Sequence, residues 1–254
     1  MHITLTGNLG SGKSTISKIM SSKYGFEIYS TGTTIRELAA ERGLTVLEMN
    51  ELMGRDHSFD NMIDDRTRQV SLERKDDLFF DSRLAWHFAV NTFKVFLSVD
   101  IDEAARRVFN DNRGETESYK TQEDAKAQLI ARAHNEDARY KDIYDIDYFQ
   151  IKNYNSILDS TFSNPELLAK IMLDEKKRYE EAVSRGETPA TRILLSPARL
   201  AGQSVGNATD NDIIRELDAG VSMQIESFNV EYGMDEIKKC ADAGIEFVSV
   251  KGVD

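Results

Sequence analysis

Residues 7–14 read Gly-Asn-Leu-Gly-Ser-Gly-Lys-Ser, three glycines ahead of a Lys-Ser pair. A run with β-branched Ile3, Thr4 and Thr6 precedes them, and Ile16, Ile19 and Met20 follow on one face of a helical pattern. Strand, tight loop and helix in that order make a phosphate-binding loop. Glycines let successive N–H groups turn toward one anion, and the helix N-terminus adds partial positive charge. Gly7, Asn8, Leu9, Gly10, Ser11 and Gly12 would form the cradle, with Lys13, Ser14 and Thr15 opening the helix. Lys13 would bring a mobile positive charge to the β- and γ-phosphates of a nucleoside triphosphate, and the Ser14 hydroxyl can ligate Mg²⁺.

Around this loop, short apolar runs alternate with longer amphipathic segments. Strands are expected at His2–Thr6, Phe26–Tyr29, Leu78–Asp81, Lys94–Val99 and Ser156–Leu158. Helices are expected near Lys13–Lys23, Thr34–Arg42, Val46–Met53, Asp60–Glu73, Asp102–Arg113, Thr121–Tyr144 and Pro165–Arg185, with Asp102 and Thr121 as N-caps. The pattern predicts an α/β fold, a doubly wound parallel five-stranded sheet with helices on both faces. Residues 185–190, Arg-Gly-Glu-Thr-Pro-Ala, read as a linker. We therefore expect one domain over residues 1–185 and a small α/β appendage over 191–254. In the appendage, strands are expected at Arg192–Leu195, Val221–Phe228 and Glu246–Val250, and helices at Asp210–Leu217 and Met234–Ala243, with Gly220 and Gly244 at helix ends. That order sparsely resembles a ParB-like fold; a packing or dimerisation module is the plainer reading, which leaves self-association open.

Composition narrows the partners. The 254 residues carry a net charge of −12, which repels polyanions and argues against nucleic acid and anionic membranes as partners. The single cysteine, Cys240, suits a reducing compartment and reads as a small buried hydrophobe on a helix. Neither a leader segment nor an apolar stretch of bilayer length is visible, so a cytoplasmic location is expected. His57, His87 and His134 show no metal-ligand spacing.

Two further segments bear on the acceptor of a phosphoryl group. Ser30-Thr31-Gly32 after the second strand leads into a helix carrying Arg36, and the third strand ends Phe79-Phe80-Asp81-Ser82-Arg83-Leu84-Ala85. With the phosphate loop, these resemble the small nucleoside monophosphate kinases, most closely the archaeal-type cytidylate kinases, over roughly residues 1–175. The resemblance implies a P-loop nucleoside-kinase-like fold, ATP as donor, Mg²⁺, and a nucleoside monophosphate as acceptor.

It also implies roles by position. Ser30, Gly32 and Arg36 would bind the acceptor, and Arg83 would clamp its phosphate. Asp81 would support Mg²⁺ or its waters, a buried helix cap being the alternative. Ser82 stands where the family usually has glycine. Arg106, Arg107 and Arg113 fall where the family carries its lid, with Arg106 and Arg113 toward the donor nucleotide. Arg132, Glu136 and Arg139 lie near one helical face. In the family's terms Arg132 and Arg139 would touch the acceptor or the transferring group, and Glu136 would orient an arginine or read the nucleoside; a solvated salt-bridged helix is the structural alternative. Leu84 follows Arg83 where many bacterial-type cytidylate kinases have aspartate, so cytosine reading at that position is not supported. CMP or dCMP leads as acceptor. A P-loop kinase of another small molecule, and a nucleotide-binding regulatory protein without transfer, remain alternatives.

Overall fold

The structure is a computed structural model that describes residues 1–45, 48–49, 52, 58–111, 119–205 and 212–253, the side chains of 58–60 excepted. Two compact units emerge: residues 1–6 with 13–95, and residues 7–12 with 96–254.

In the first unit, β1 (His2–Gly7) enters the phosphate loop and α1 (Lys13–Tyr24) leaves it. Then come β2 (Glu27–Ser30), α2 (Thr31–Glu41), α3 (Ser58–Glu73), β3 (Leu78–Asp81), the short α4 (Ala85–Phe88) and the start of β4 (Thr92–Ser98). The order is β2-β3-β1-β4. β3 pairs in parallel with both neighbours, Phe79 lying opposite Ile3 of β1 and Ile28 of β2. Such a central strand is buried on both faces and therefore apolar throughout, as Leu78-Phe79-Phe80 is. The buried His2 ring bridges β3 and α3: Nδ1 accepts from the Leu78 N–H at 3.0 Å, and Nε2 donates to the Ser71 carbonyl, also at 3.0 Å.

In the second unit, α5 (Ile101–Asn110), α6 (Gln122–Tyr144), β5 (Ser156–Asp159) and α7 (Pro165–Ser184) follow the end of β4. Beyond residue 190 lie β6 (Arg192–Leu195), α8 (Pro197–Leu200), β7 (Ile214–Met223), β8 (Phe228–Tyr232), α9 (Met234–Asp242) and β9 (Phe247–Gly252). The order is β4-β5-β6-β9-β7-β8. β6 pairs in parallel with β5, Ile193 opposite Ile157, so the segment after the linker continues the sheet. β9 runs antiparallel to β6 and parallel to β7. Val99, Ala104, Ala105 and Val108 pack with Ala125 and Leu129, joining α5 to α6.

The five expected strands are present, as are the helices expected around them apart from Val46–Met53, with ends moved by a few residues. Thr121 caps α6 as expected, and Asn164 caps α7 with Pro165 in its first turn. Asp100, not Asp102, caps α5: its Oδ1 accepts from the N–H groups of Asp102 at 2.9 Å and Glu103 at 3.3 Å. The expected helix at Asp210–Leu217 is not formed among the described residues of that stretch. Ile214 opens β7, and Gly220 lies inside that strand rather than at a helix end. Leu217, Ala219, Val221 and Met223 alternate with Glu216, Asp218, Gly220 and Ser222, a period of two that outweighs the helical reading. The ParB-like order rested on that helix and lapses with it. Cys240 is a buried free thiol on α9, as expected. The expected helix Val46–Met53 falls largely outside the described residues, as do Arg113 and His57.

Candidate active site

The cradle residues Gly7–Gly12 belong to the second unit. Gly7 has φ +146°, and a Cβ there would sit 2.1 Å from the Leu97 carbonyl oxygen, so only glycine fits. The Asn8 N–H donates to that same oxygen at 3.1 Å, which anchors the start of the loop to β4. Gly10, at φ +76°, packs so closely on α5 that a Cβ there would sit 3.0 Å from Ala104, and Gly12 has φ +88°. Ser11 is buried, and its hydroxyl has no hydrogen-bond partner among the described residues. Chain turns of this kind aim backbone N–H groups inward at an anion. Arg107 braces the loop from behind by donating to the Gly10 carbonyl at 3.3 Å.

Lys13 and Ser14 open α1 in the first unit; Ser14 and Thr15 are exposed. One turn on, Ser17 is buried and donates to Asp81 Oδ2 at 2.7 Å. Asp81 is thereby held at the carboxyl end of β3, the end at which open α/β sheets bind ligands. No group of three His, Cys, Asp or Glu side chains among the described residues forms a metal cage. An exposed Ser14 hydroxyl with one half-buried carboxylate suits an ion held mainly by phosphate oxygens and water, the manner in which Mg²⁺ binds nucleotides.

The acceptor candidates in the first unit are drawn together by one bond. Thr31 Oγ1 donates to Ser82 Oγ at 2.7 Å, tying the start of α2 to the residue before Arg83. Ser82 Oγ supplies the acceptor for that bond. The Arg83 carbonyl accepts from Thr6 Oγ1 at 3.1 Å, so the loop is pinned on β1 as well. Ser30 caps α2 by accepting from the Thr33 N–H at 3.2 Å, and Arg36 donates to Thr33 Oγ1 at 3.1 Å, with Gly32 beside its guanidinium. Ser30, Gly32 and Arg36 thus occupy one helical end, a cap visible in the sequence as Ser-x-x-Thr.

On α6, Arg132, Glu136 and Arg139 line one open hollow with Gln128, Ala131 and Asn135. Arg132 Nε donates to Glu136 Oε1 at 3.1 Å. Arg106 lies apart from that hollow on α5, where it grips Glu103 through Nε at 2.7 Å and Nη2 at 2.8 Å. Those bonds, with Arg107 adding to them, hold the Glu103 carboxyl below the usual carboxylate range against the opposing effect of burial. Arg107 also reaches the carbonyls of Ser160 and Thr161 at 2.6 and 3.0 Å. Its bracing position has no signal in the sequence, because it depends on the loop after β5 arriving beside α5. No helix among the described residues is long and apolar enough to cross a membrane.

Residues 2–162 match the model of the cytidylate kinase-like family. A cytidylate kinase of Haloarcula marismortui is 33% identical over 195 residues, 76% of this chain and 98% of that protein. One of Halobacterium salinarum is also 33% identical over 195 residues, with the same shares of 76% and 98%. An uncharacterized protein from Eubacterium ventriosum, solved by crystallography, shares the fold with a TM-score of 0.51 at 13% identity, over 68% of this chain and 96% of that one. Motif order, loop geometry and the length of the match agree: the chain belongs to the cytidylate kinase-like family.

Proposed function

We propose that this chain transfers the γ-phosphoryl group of ATP to a nucleoside monophosphate, with CMP or dCMP the preferred acceptor. The observation that carries the reading is the 2.7 Å bond from Thr31 to Ser82, which joins the Arg36-bearing helix start to the Arg83 loop beside the strand that feeds the phosphate cradle. Two arginines on tied elements suit a doubly charged acceptor phosphate better than a neutral hydroxyl. The names of the two archaeal relatives, both cytidylate kinases, support the choice of base.

In this reaction an oxygen of the acceptor phosphate attacks the γ-phosphorus. The new P–O bond forms as the bond to the β-phosphate oxygen breaks, and ADP leaves. A strong general base is not needed, so the protein's task is positioning and charge stabilisation. The N–H groups of Leu9, Gly10 and Gly12 orient the phosphates, those of Asn8 and Ser11 being bonded to the Leu97 and Asn8 carbonyls, and Lys13 follows the charge that develops on the β–γ bridge. Arg36 and Arg83 hold the acceptor phosphate in line. Arg132 and Arg139 stabilise the equatorial oxygens of the transferring group, and Glu136 keeps Arg132 oriented. Arg106 and Arg113 flank the donor nucleotide in this reading. When bound, Mg²⁺ neutralises the β- and γ-phosphate charge; Ser14, supported by Asp81, would hold it.

A coupled ADP-release assay across CMP, dCMP, UMP, AMP, GMP and small alcohols tests the proposal. ADP release stimulated most by CMP or dCMP is expected. Release stimulated only by an alcohol, or by no acceptor, overturns it.

A further inference from the structure

We propose that Arg199, which lies beyond the family match, is a positioning residue for the phosphate loop. The inference rests on the reading that Gly7–Ser14 binds ATP.

Asp159 ends β5 with no exposed surface, so its charge must be compensated inside the protein. Arg199 Nη1 meets Asp159 Oδ1 at 3.0 Å, with side chains 6% and 0% exposed. The same nitrogen donates to Ser98 Oγ at 3.0 Å, and Nη2 donates to the Val99 carbonyl at 3.1 Å. One planar guanidinium from α8 therefore clasps the carboxyl ends of β4 and β5. The Ser196 N–H completes the clasp by donating to Asp159 Oδ2 at 3.1 Å.

From Asp159 the bonding continues to the phosphate loop. Asp159 Oδ1 accepts from the Thr161 N–H at 3.1 Å and from Thr161 Oγ1 at 2.6 Å. Thr161 Oγ1 in turn accepts from the Asp100 N–H at 2.9 Å, fixing the start of α5. The Ser160 and Thr161 carbonyls, so placed, receive Arg107 Nη2, and Arg107 Nη1 donates to the Gly10 carbonyl. A continuous path of charge-assisted bonds runs from Arg199 through Asp159, Thr161 and Arg107 to Gly10. A second contact comes from the turn between β7 and β8, where the Ile225 carbonyl accepts from Asn8 Nδ2 at 3.3 Å. The segment after residue 190 thus reaches the cradle at both Gly10 and Asn8. Anion binding by backbone amides depends on their direction, so loosening this path weakens ATP binding before it affects the acceptor.

The test uses the full chain with Arg199→Lys, Arg199→Met and Arg199→Met/Asp159→Asn, measuring thermal melting, Mg²⁺·ATP affinity by calorimetry, and KM for ATP and CMP. Lysine keeps the charge beside Asp159 but cannot hold Ser98 and Val99 together. That variant is expected to melt near wild type yet bind ATP about tenfold more weakly, with KM for ATP raised and KM for CMP unchanged. The double variant removes the stranded buried charge, so its melting temperature recovers relative to Arg199→Met while ATP binding stays weak. Wild-type ATP affinity in either folded variant overturns the inference. So does failure of all three variants to fold, which assigns Arg199 to stability alone. Wild type that does not bind ATP overturns the phosphate-loop reading itself, and the inference with it.

Discussion

Ser17 donates its hydroxyl proton to Oδ2 of Asp81 at 2.7 Å, locking the second turn of α1 to the carboxyl end of β3. The helix that carries Lys13 and Ser14 is thereby registered against the strand that delivers Arg83. Ser17→Ala leaves a half-buried carboxylate one donor short and is expected to lower stability by about 1–2 kcal/mol. Asp81→Asn preserves an acceptor for Ser17, so its melting temperature stays near wild type while kcat falls about tenfold and the Mg²⁺ requirement rises. Denaturant melts beside Mg²⁺ titrations of the rate separate the two; unchanged Mg²⁺ dependence in Asp81→Asn would confine Asp81 to a structural role.

Lys13→Ala and Arg83→Ala fail in different ways. Loss of Lys13 removes charge stabilisation from every transfer, and kcat should drop about a hundredfold or more with any acceptor. Loss of Arg83 should raise KM for the nucleoside monophosphate while leaving ATP affinity within about twofold of wild type. Steady-state kinetics with calorimetric ATP titration show the split, and equal small effects on both substrates reject it.

Gly7 and Gly12 share a positive φ but not a neighbourhood. Alanine at Gly7 drives its Cβ into the Leu97 carbonyl, whereas at Gly12 nothing lies within 4 Å. Gly7→Ala is expected to cost about 2–4 kcal/mol and Gly12→Ala about 1 kcal/mol, from backbone strain alone. Thermal melts of the two variants check the order, and a Gly12 variant less stable than the Gly7 variant contradicts it.

Arg132 is about half exposed, so its bond to Glu136 contributes little to stability. Arg132→Ala and Arg139→Ala should change the melting temperature by only a degree or two. Their kcat should nevertheless fall about a hundredfold, as loss of a transition-state charge partner requires. Comparable activity in both variants would return this face of α6 to the role of a solvated, salt-bridged surface.

Asp137, next to Glu136, has its carboxyl pushed above the ordinary value, first by burial and then by the Asp147 charge. Its Oδ1 is buried without a hydrogen-bond partner among the described residues. A raised carboxyl pKa means the folded chain binds more protons than the unfolded one between the ordinary value of 3.8 and the raised value. Stability from this group is therefore greatest below the unfolded value and is lost as pH rises through the folded one. Asp137→Asn should melt at a higher temperature than wild type at pH 7, with the gap closing near pH 3. A gap that does not change with pH removes Asp137 as its source.

The linear order Gly7–Ser14, Arg36, Arg83 and Arg132–Arg139 was legible because each motif is local. A phosphate loop needs consecutive amides, and a helical face needs a spacing of three or four residues. Periodicity likewise marked β1 to β5, their helices and the α7 and α9 ends. It failed at Ile214–Leu217, where a helix was expected with Gly220 at its end, although the two-residue alternation runs on through Gly220 to Met223. That stretch becomes a strand because β9 and β8 offer it hydrogen-bond partners, Ile214 opposite Phe247 and Met223 opposite Phe228.

By itself, then, the sequence determined that β1 ends in a phosphate cradle and that the chain is an α/β kinase-family protein, because backbone turns and apolar periods are written in neighbouring residues. Only the tertiary structure decided that Arg107 and Arg199 stand behind that cradle. Their partners lie far along the chain, Arg107 with Gly10 and Arg199 with Ser98. A buried charge finds its counter-charge by where strands and loops meet in space, and no local pattern records that meeting.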